Sequence, residues 1–458
     1  MLDLLMETPA PPGPVPDRST AAALARRLAA RTATVAVVGL GHVGLPLALA
    51  AARAGFRTIG LDSDPERTAR LSAGESPLRH VPAAALRRAL LDGSFRPGDE
   101  ADLANADAVL ICVPTPLGPD RQPDLSYVEA ATAQVARRLR PGQLISLEST
   151  TWPGTTRERV LPILEAGGLR CGRDFFLAYS PEREDPGNPD FGTADIPKVV
   201  AGADAASSRL ALMFYGAVVR RTVPVASLEA AEAVKLSENV FRAVNIALAN
   251  ELKLAFGAMG IDPWAVTEAA ATKPFGYMPF WPGPGPGGHC IPVDPHYLAW
   301  RARGQGAETP LIDLACAIND GMPRHVLGRL GDALAERGRG LAGARVLVVG
   351  VGYKRNHEDA RESPGLRLME MLEAEGAATE YLDPLVPEIP VTPEHPSLAG
   401  RRGIVWSAAA VRGFDAALVA ADHDGVDYAA LVAAVPLVVD TRNVCARLGL
   451  AGAHIVTA

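Results

Sequence analysis

Residues 281–297 read Trp-Pro-Gly-Pro-Gly-Pro-Gly-Gly-His-Cys-Ile-Pro-Val-Asp-Pro-His-Tyr. Three prolines and four glycines precede His289 and Cys290 in this run. Proline removes backbone donors and glycine costs backbone entropy, so the stretch is neither helix interior nor central strand. It is a loop that can bring backbone close to a ligand and hold one thiol in place. Asp294 follows four residues after Cys290 and can serve the same site. A structural cysteine on an ordinary surface loop would give the same local pattern, so the chemistry depends on what else the chain supplies.

The second element is Gly39-Leu-Gly41-His42-Val43-Gly44, placed between the β-branched run Thr34–Val38 and an alanine-rich helical pattern. After Gly55 comes another strand pattern, 56–61, ending at Asp62, 23 residues beyond Gly39. Strand, GxGxxG, helix, strand, acid is the order of a dinucleotide site. Gly39 makes the tight turn, Gly41 admits the pyrophosphate, Gly44 lets helix pack on sheet, and Asp62 accepts ribose hydroxyls. A carboxylate there repels a 2′-phosphate, which favours NAD over NADP. With NAD alone, an alcohol loses one hydride. With a thiol added, the aldehyde can be trapped as a thiohemiacetal, oxidised again to a thioester and released by water. Cysteine plus NAD therefore points to a four-electron oxidation of a primary alcohol to a carboxylate.

These groups require positioning elements. The patterns predict strands at 107–113, 143–148 and 175–178, with Thr115, Thr150 and Glu182 just beyond their carboxyl ends, where doubly wound sheets bind ligands. A turn threonine, a helix-capping threonine and a surface glutamate would look the same. Residues 227–260 contain no proline and predict a helix of about 30 residues, about 45 Å long. Lys235 and Asn239 share one face of it at i,i+4 spacing, as a solvated polar stripe also would. Further helices are predicted at 261–271 and 309–337. A second β-branched strand, 344–349, runs into Gly350-Val-Gly352-Tyr-Lys354, a glycine turn without a third glycine. The α/β rhythm then continues to 440. The expected fold class is α/β, with two Rossmann-like doubly wound domains joined by a long central helix. The expected boundaries are a disordered leader at 1–18, an NAD-binding domain at 19–225, a central helical domain with the cysteine loop at 226–335, and a second Rossmann-like domain for another nucleotide at 336–458.

The 458 residues carry a net charge of −7, are 48% hydrophobic and only 5% aromatic. This excludes a basic nucleic-acid footprint. The apolar stretch 35–52 is explained by its glycine loop rather than by a membrane span. Five cysteines (112, 171, 290, 316 and 445) include no CxxC pair, which fits a reducing cytoplasm and neither a disulfide framework nor a thiolate zinc site. His289, Cys290, Asp294 and His296 could be read as a metal set. A single proline-constrained loop rarely closes tetrahedral coordination, and no metal is expected.

Six ordered stretches carry a resemblance: Val-Val-Gly-Leu-Gly-His-Val-Gly-Leu-Pro (37–46), Cys-Val-Pro-Thr-Pro (112–116), Glu-Ser-Thr-Thr-Trp-Pro-Gly-Thr-Thr (148–156), Lys-Leu-Ser-Glu-Asn (235–239), Gly-Gly-His-Cys-Ile-Pro-Val-Asp-Pro (287–295) and Arg-Glu-Ser-Pro (361–364). Over about residues 20–455 the chain resembles the UDP-glucose/GDP-mannose dehydrogenase family. The resemblance implies that Cys290 is the nucleophile and that Lys235 stabilises the developing oxyanion. Asn239 holds the same oxygen or an ordered water, and Asp294 orients the hydrolytic water with help from Thr150 and Glu182. It further implies that His42 and Val43 join the glycines at NAD, that Thr115 lines the nicotinamide side, and that Arg361 reaches towards the cofactor. Phe280, Gly287 and Lys354 fall to the UDP-sugar, together with Lys235 and Asn239, and the long helix to a homodimer or larger assembly. The same resemblance makes the domain at 336–458 UDP-binding.

Three stretches depart from UDP-glucose members. Pro186 stands where they carry a second glutamate, His42 replaces a common tyrosine, and the cysteine loop is richer in proline. Residues 180–188, 273–280 and 289–295 instead resemble the UDP-N-acetylglucosamine 6-dehydrogenase branch, with the N-acetylmannosamine and N-acetylgalactosamine enzymes as close neighbours. A nucleotide-sugar-binding protein without chemistry would share the binding motifs.

Overall fold

The computed structural model describes residues 20–118, 120–183, 192–288 and 290–458. The expected leader, His289 and the 184–188 part of the 180–188 stretch lie outside the described residues. The chain packs as two compact units, Met1–Leu236 and Ser237–Ala458.

The first unit is built on an eight-stranded sheet. Its strands are β1 (Thr34–Val38), β2 (Arg57–Leu61), β3 (Phe95–Pro97), β4 (Ala108–Ile111), β5 (Leu144–Leu147), β6 (Phe176–Tyr179), β7 (Lys198–Gly202) and β8 (Thr222–Pro224), in the order β3-β2-β1-β4-β5-β6-β7-β8. All pairings are parallel except β6 with β7. Val35, Val37, Ala108, Leu110, Leu144 and Phe176 join one core with the helix Gly44–Arg53. Burial on both faces explains why these strands read as continuous apolar runs. The order reverses between β1 and β4, so the glycine loop after β1 opens at the switch point where such sheets bind dinucleotides.

In the second unit the strands are β9 (Arg345–Val349), β10 (Ala378–Leu382), β11 (Ala416–Val419), β12 (Val438–Asp440) and β13 (Ile455–Thr457), all parallel, in the order β10-β9-β11-β12-β13. Val346 and Val348 face one apolar cluster, and Leu347 and Val349 face another. That alternation is the strand period of two, with helices covering both sides. The order is 2-1-3-4-5, the mononucleotide type, unlike the 3-2-1-4-5-6 run of the first sheet. The missing third glycine of this unit is present after all. An added Cβ on Gly365, at the start of the helix Pro364–Ala374, would lie 2.6 Å from the Gly350 carbonyl oxygen. It serves the packing role of Gly44, displaced in sequence by the inserted segment 351–364.

The predicted long helix is Leu228–Ala258, 31 residues. Its buried stripe is unusually polar: Glu232, Lys235, Asn239, Asn250 and Lys253 are each at most 8% exposed. Its exposed residues include Phe241, Leu248 and Leu252. The solvated reading of Lys235 and Asn239 is therefore inverted, because every buried polar group on this stripe must find a partner. The helix Asp294–Gly304 is absent from the sequence expectations, although Pro295 in its first turn is a helix-start signal.

Candidate active site

The glycine loop has the geometry its spacing predicts. Gly39 has φ +92°, and a Cβ there would sit 2.6 Å from the Cys112 carbonyl oxygen. A Cβ on Gly44 would lie 1.8 Å from the Gly39 carbonyl oxygen, whereas one on Gly41 would meet nothing within 4 Å. The first and third glycines are thus required by backbone contact, and the second leaves open space for a ligand to approach. Val43 precedes the helix Gly44–Arg53, whose N-terminus suits a pyrophosphate. His42 stacks on His80 at 5.4 Å. The Asp62 carboxylate accepts from Leu40 N at 2.8 Å and from Asp64 N at 2.9 Å. It also accepts from the Arg67 guanidinium at 3.1 Å. Arg67 was not among the expected residues. An ionised carboxylate has roughly four acceptor sites, so Asp62 keeps capacity for a ribose hydroxyl. These residues fit a dinucleotide.

Half-buried Thr115 and Thr150 and buried Glu182 lie just past the ends of β4, β5 and β6. Ser149 donates to Val113 O at 2.7 Å, tying the first two segments together. Glu232 accepts from Gly154 N at 2.5 Å and from Thr156 N at 2.8 Å, holding the segment after Thr150 one helical turn from Lys235. Burial raises the Glu232 carboxyl to about 7 despite these donors. Glu182 is no surface charge. It shares the Lys198 ammonium with Glu148, at 3.2 Å and 2.6 Å respectively, and Tyr215 donates to Glu148. All four are buried. Burial alone would lower the Lys198 ammonium, but the two carboxylates outweigh it and hold it raised. Lys198 and Tyr215 are not singled out by the sequence, and Glu148 enters it only as the first residue of the 148–156 stretch. Lys198 opens the unforeseen strand β7, and a lysine before Val-Val-Ala carries no local sign of a partner 50 residues away.

In the second unit Cys290 is half-buried, and its carbonyl accepts from Asp294 N at 2.8 Å. This sets thiol and carboxylate on consecutive turns. Asp294 is 2% exposed and accepts from the Asn239 amide at 2.5 Å. Three helical turns further on, Asn250 accepts from Gly283 N at 3.0 Å and donates to Asn319, so the loop is held near both ends by one helix face. The loop glycines admit close contact. A Cβ on Gly287 would lie 2.8 Å from the Glu362 carbonyl oxygen, the Pro364 ring and Tyr353. Gly288 N donates to Arg361 O at 3.1 Å. The Arg361 side chain forks onto Asp359, which raises it against burial, and the Cys290 sulfur acts in the same direction. Arg361 therefore lies beside the thiol loop. Lys354 lies 5.7 Å from the Tyr353 ring, and Phe280 packs edge-on to Phe241 at 5.8 Å.

The second glycine turn is occupied by the protein itself. Asp383 accepts from Val351 N at 2.7 Å, Gly352 N at 3.0 Å and His423 Nε2 at 3.1 Å. His423 and these amides outweigh burial and lower the carboxyl. Asp383 thus caps this turn as Asp62 caps Leu40 N in the first unit.

Among the described residues no group of three or more His, Cys, Asp and Glu could hold a metal ion. No helix among them is long and apolar enough to cross a membrane.

Comparison with known proteins agrees with this geometry. Residues 33–240 match the NAD binding domain of the UDP-glucose/GDP-mannose dehydrogenase family, 229–321 its central domain and 347–447 its UDP binding domain. The chain is 38% identical over 356 residues to UDP-N-acetyl-D-glucosamine 6-dehydrogenase of Pseudomonas aeruginosa, covering 77% of this chain and 83% of that one. It is 34% identical over 394 residues to UDP-N-acetyl-D-mannosamine dehydrogenase of Pyrococcus horikoshii, covering 85% and 89%. The solved structure of the Pyrococcus horikoshii UDP-D-ManNAc dehydrogenase superposes with a TM-score of 0.83 at 32% identity, covering 93% and 98%. A UDP-glucose dehydrogenase from Pyrobaculum islandicum superposes at 0.78 and 30% identity, covering 94% and 96%. The chain belongs to the UDP-glucose/GDP-mannose dehydrogenase family and is an NAD-dependent nucleotide-sugar 6-dehydrogenase.

Proposed function

We propose that this enzyme oxidises the C6 hydroxymethyl of a UDP-N-acetylhexosamine, UDP-N-acetylglucosamine foremost, to the uronic acid. The balance is one alcohol, two NAD⁺ and one water to one carboxylate, two NADH and three protons. Asp62 would take the ribose of NAD⁺, and Thr115 and Arg361 would serve its nicotinamide side; NAD⁺ would supply the oxidant in both rounds. Lys235 stabilises the alkoxide and later the tetrahedral oxyanion, and Asn239 holds the same oxygen or a water. Cys290 adds to the aldehyde carbon and retains it as thiohemiacetal and then thioester. Asp294, with Thr150 and Glu182, orients the water that cleaves the thioester and restores the thiol. Phe280, Gly287 and Lys354 line the substrate.

The observation that carries this reading is the Asn239–Asp294 pair, buried one turn from Cys290 on a loop fixed from both ends. The choice of an N-acetylhexosamine rests on the 180–188, 273–280 and 289–295 resemblances, and both relatives quoted first act on N-acetylhexosamines by name. A panel of UDP-glucose, UDP-GlcNAc, UDP-GalNAc and UDP-ManNAc, read by NADH and product mass, tests it. Two NADH per UDP-GlcNAc and a gain of 14 mass units, about two hydrogens exchanged for one oxygen, are expected. Preference for UDP-ManNAc or UDP-glucose would reassign the sugar. No NADH from any of the four would leave a nucleotide-sugar-binding protein.

The exposed Phe241, Leu248 and Leu252 on the long helix, with Met259, Phe275 and Met278, favour a homodimer or larger assembly that covers them. Sedimentation at micromolar concentration should give a dimer or higher mass, and a monomer alone would refute it. None of the five cysteines is in a disulfide, which suits a reducing cytoplasm.

A further inference from the structure

We propose that Lys198 is a positioning residue that holds Glu182 as a carboxylate, and that Glu148 is the competing anion that limits how firmly it does so. The inference rests on the proposed role of Glu182 beside the hydrolytic water.

Two carboxylates flank Lys198 and favour its charged form against burial. Its ammonium has three protons and three acceptors: Glu148 Oε2 at 2.6 Å, Glu182 Oε2 at 3.2 Å and Pro181 O at 3.4 Å. Lys198 and Glu182 are each 6% exposed and Glu148 is fully buried, so water screens this trio poorly. The other Glu182 oxygen accepts from Arg183 N at 2.6 Å, while the Arg183 guanidinium turns away to Pro197 O at 2.7 Å. The other Glu148 oxygen accepts from Tyr215, whose hydroxyl also lies 2.7 Å from Ser146. Cys112 faces the group from the end of β4 and acts on both Lys198 and Tyr215.

Among the described residues, the groups around Glu182 include Lys198 from β7 and Glu148 from the end of β5, with Tyr215 from the helix Ala205–Val218 and Cys112 behind them. One ammonium between two buried carboxylates leaves a net negative charge that cannot relax into solvent. The two carboxylates compete for that ammonium, so each is held less firmly than it would be alone. Glu148 is the more deeply buried, and burial raises its carboxyl against the pull of Lys198. Glu182 is less deeply buried and has a backbone donor of its own, Arg183 N. A carboxylate with both oxygens on donors is a weak base but a fixed acceptor, which suits a group that aims a water.

The arrangement separates positioning from bulk structure through the pH profile of kcat/KM for UDP-sugar oxidation. Glu148→Gln keeps an acceptor for Tyr215 and leaves Lys198 to Glu182 alone. The acid limb should move about half a pH unit or more to lower pH. Lys198→Met leaves two carboxylates without a cation and should raise the limb by about one pH unit or more. Lys198→Met can fail to fold, since it strands buried charge. The Glu148→Gln/Lys198→Met double variant removes that conflict, and its limb should lie below that of a foldable Lys198→Met. If the limb in Glu148→Gln coincides with wild type, the proposal is overturned. It is equally overturned if the double variant's limb is as high as that of Lys198→Met. A wild type that makes no NADH would instead sink the dehydrogenase reading, which keeps the two failures apart.

Discussion

Cys290→Ser abolishes uronate formation, with an expected loss of about 10³-fold or more in kcat, equivalent to about 4 kcal/mol of transition-state stabilisation. Serine preserves the size of the side chain on a half-buried loop position. The loop keeps its tethers at Gly283, Gly288 and Asp294. The melting temperature should therefore stay close to wild type. What is lost is the nucleophile that retains the aldehyde, because a hydroxyl far from its pKa adds poorly and yields a less reactive ester. Product mass and NADH stoichiometry check this, with at most one NADH per sugar and no acid expected. Acid formation by Cys290→Ser at the wild-type rate would eliminate the covalent route.

Lys235→Ala should lower kcat by about 10²–10³-fold, the usual cost of removing a donor aimed at a developing oxyanion. Lys235 is only 8% exposed, so its ammonium acts where water screens little. It stands one turn before Asn239, which grips Asp294. The KM for NAD should hardly change, because the glycine loop and Asp62 are untouched. Steady-state kinetics in both substrates distinguish this from general damage. A loss confined to KM for the UDP-sugar, with kcat intact, would assign Lys235 to binding alone.

Much of this was legible without coordinates. Local chemistry sets the strand Thr34–Val38, the glycines at 39, 41 and 44 and the acid at 62, because each is required by backbone geometry within one βαβ unit. The same holds for the proline-free run that became Leu228–Ala258. Cys290 stands out because its loop cannot be regular structure, and six ordered motifs carry the family resemblance around it.

Other features depend on contacts across long stretches of chain. Lys235 and Lys253 are both lysines on the buried stripe of one helix, and nothing local separates them. Folding gives Lys253 the Ala458 carbonyl, and burial with Arg442 beside it lowers the ammonium to about 8. The spacing of Lys235 and Asn239 suits a solvated stripe as well as a buried one for the same reason: a polar face is buried only when other segments bring partners to it. Gly365 could not be matched to Gly350 across an inserted segment, nor Lys198 to Glu148 across 50 residues. The sequence by itself determined the two nucleotide folds, the cofactor loop and the thiol. Only the tertiary structure decided which polar side chains are buried and with whom they share charge, because desolvation and pairing are properties of segments distant in sequence.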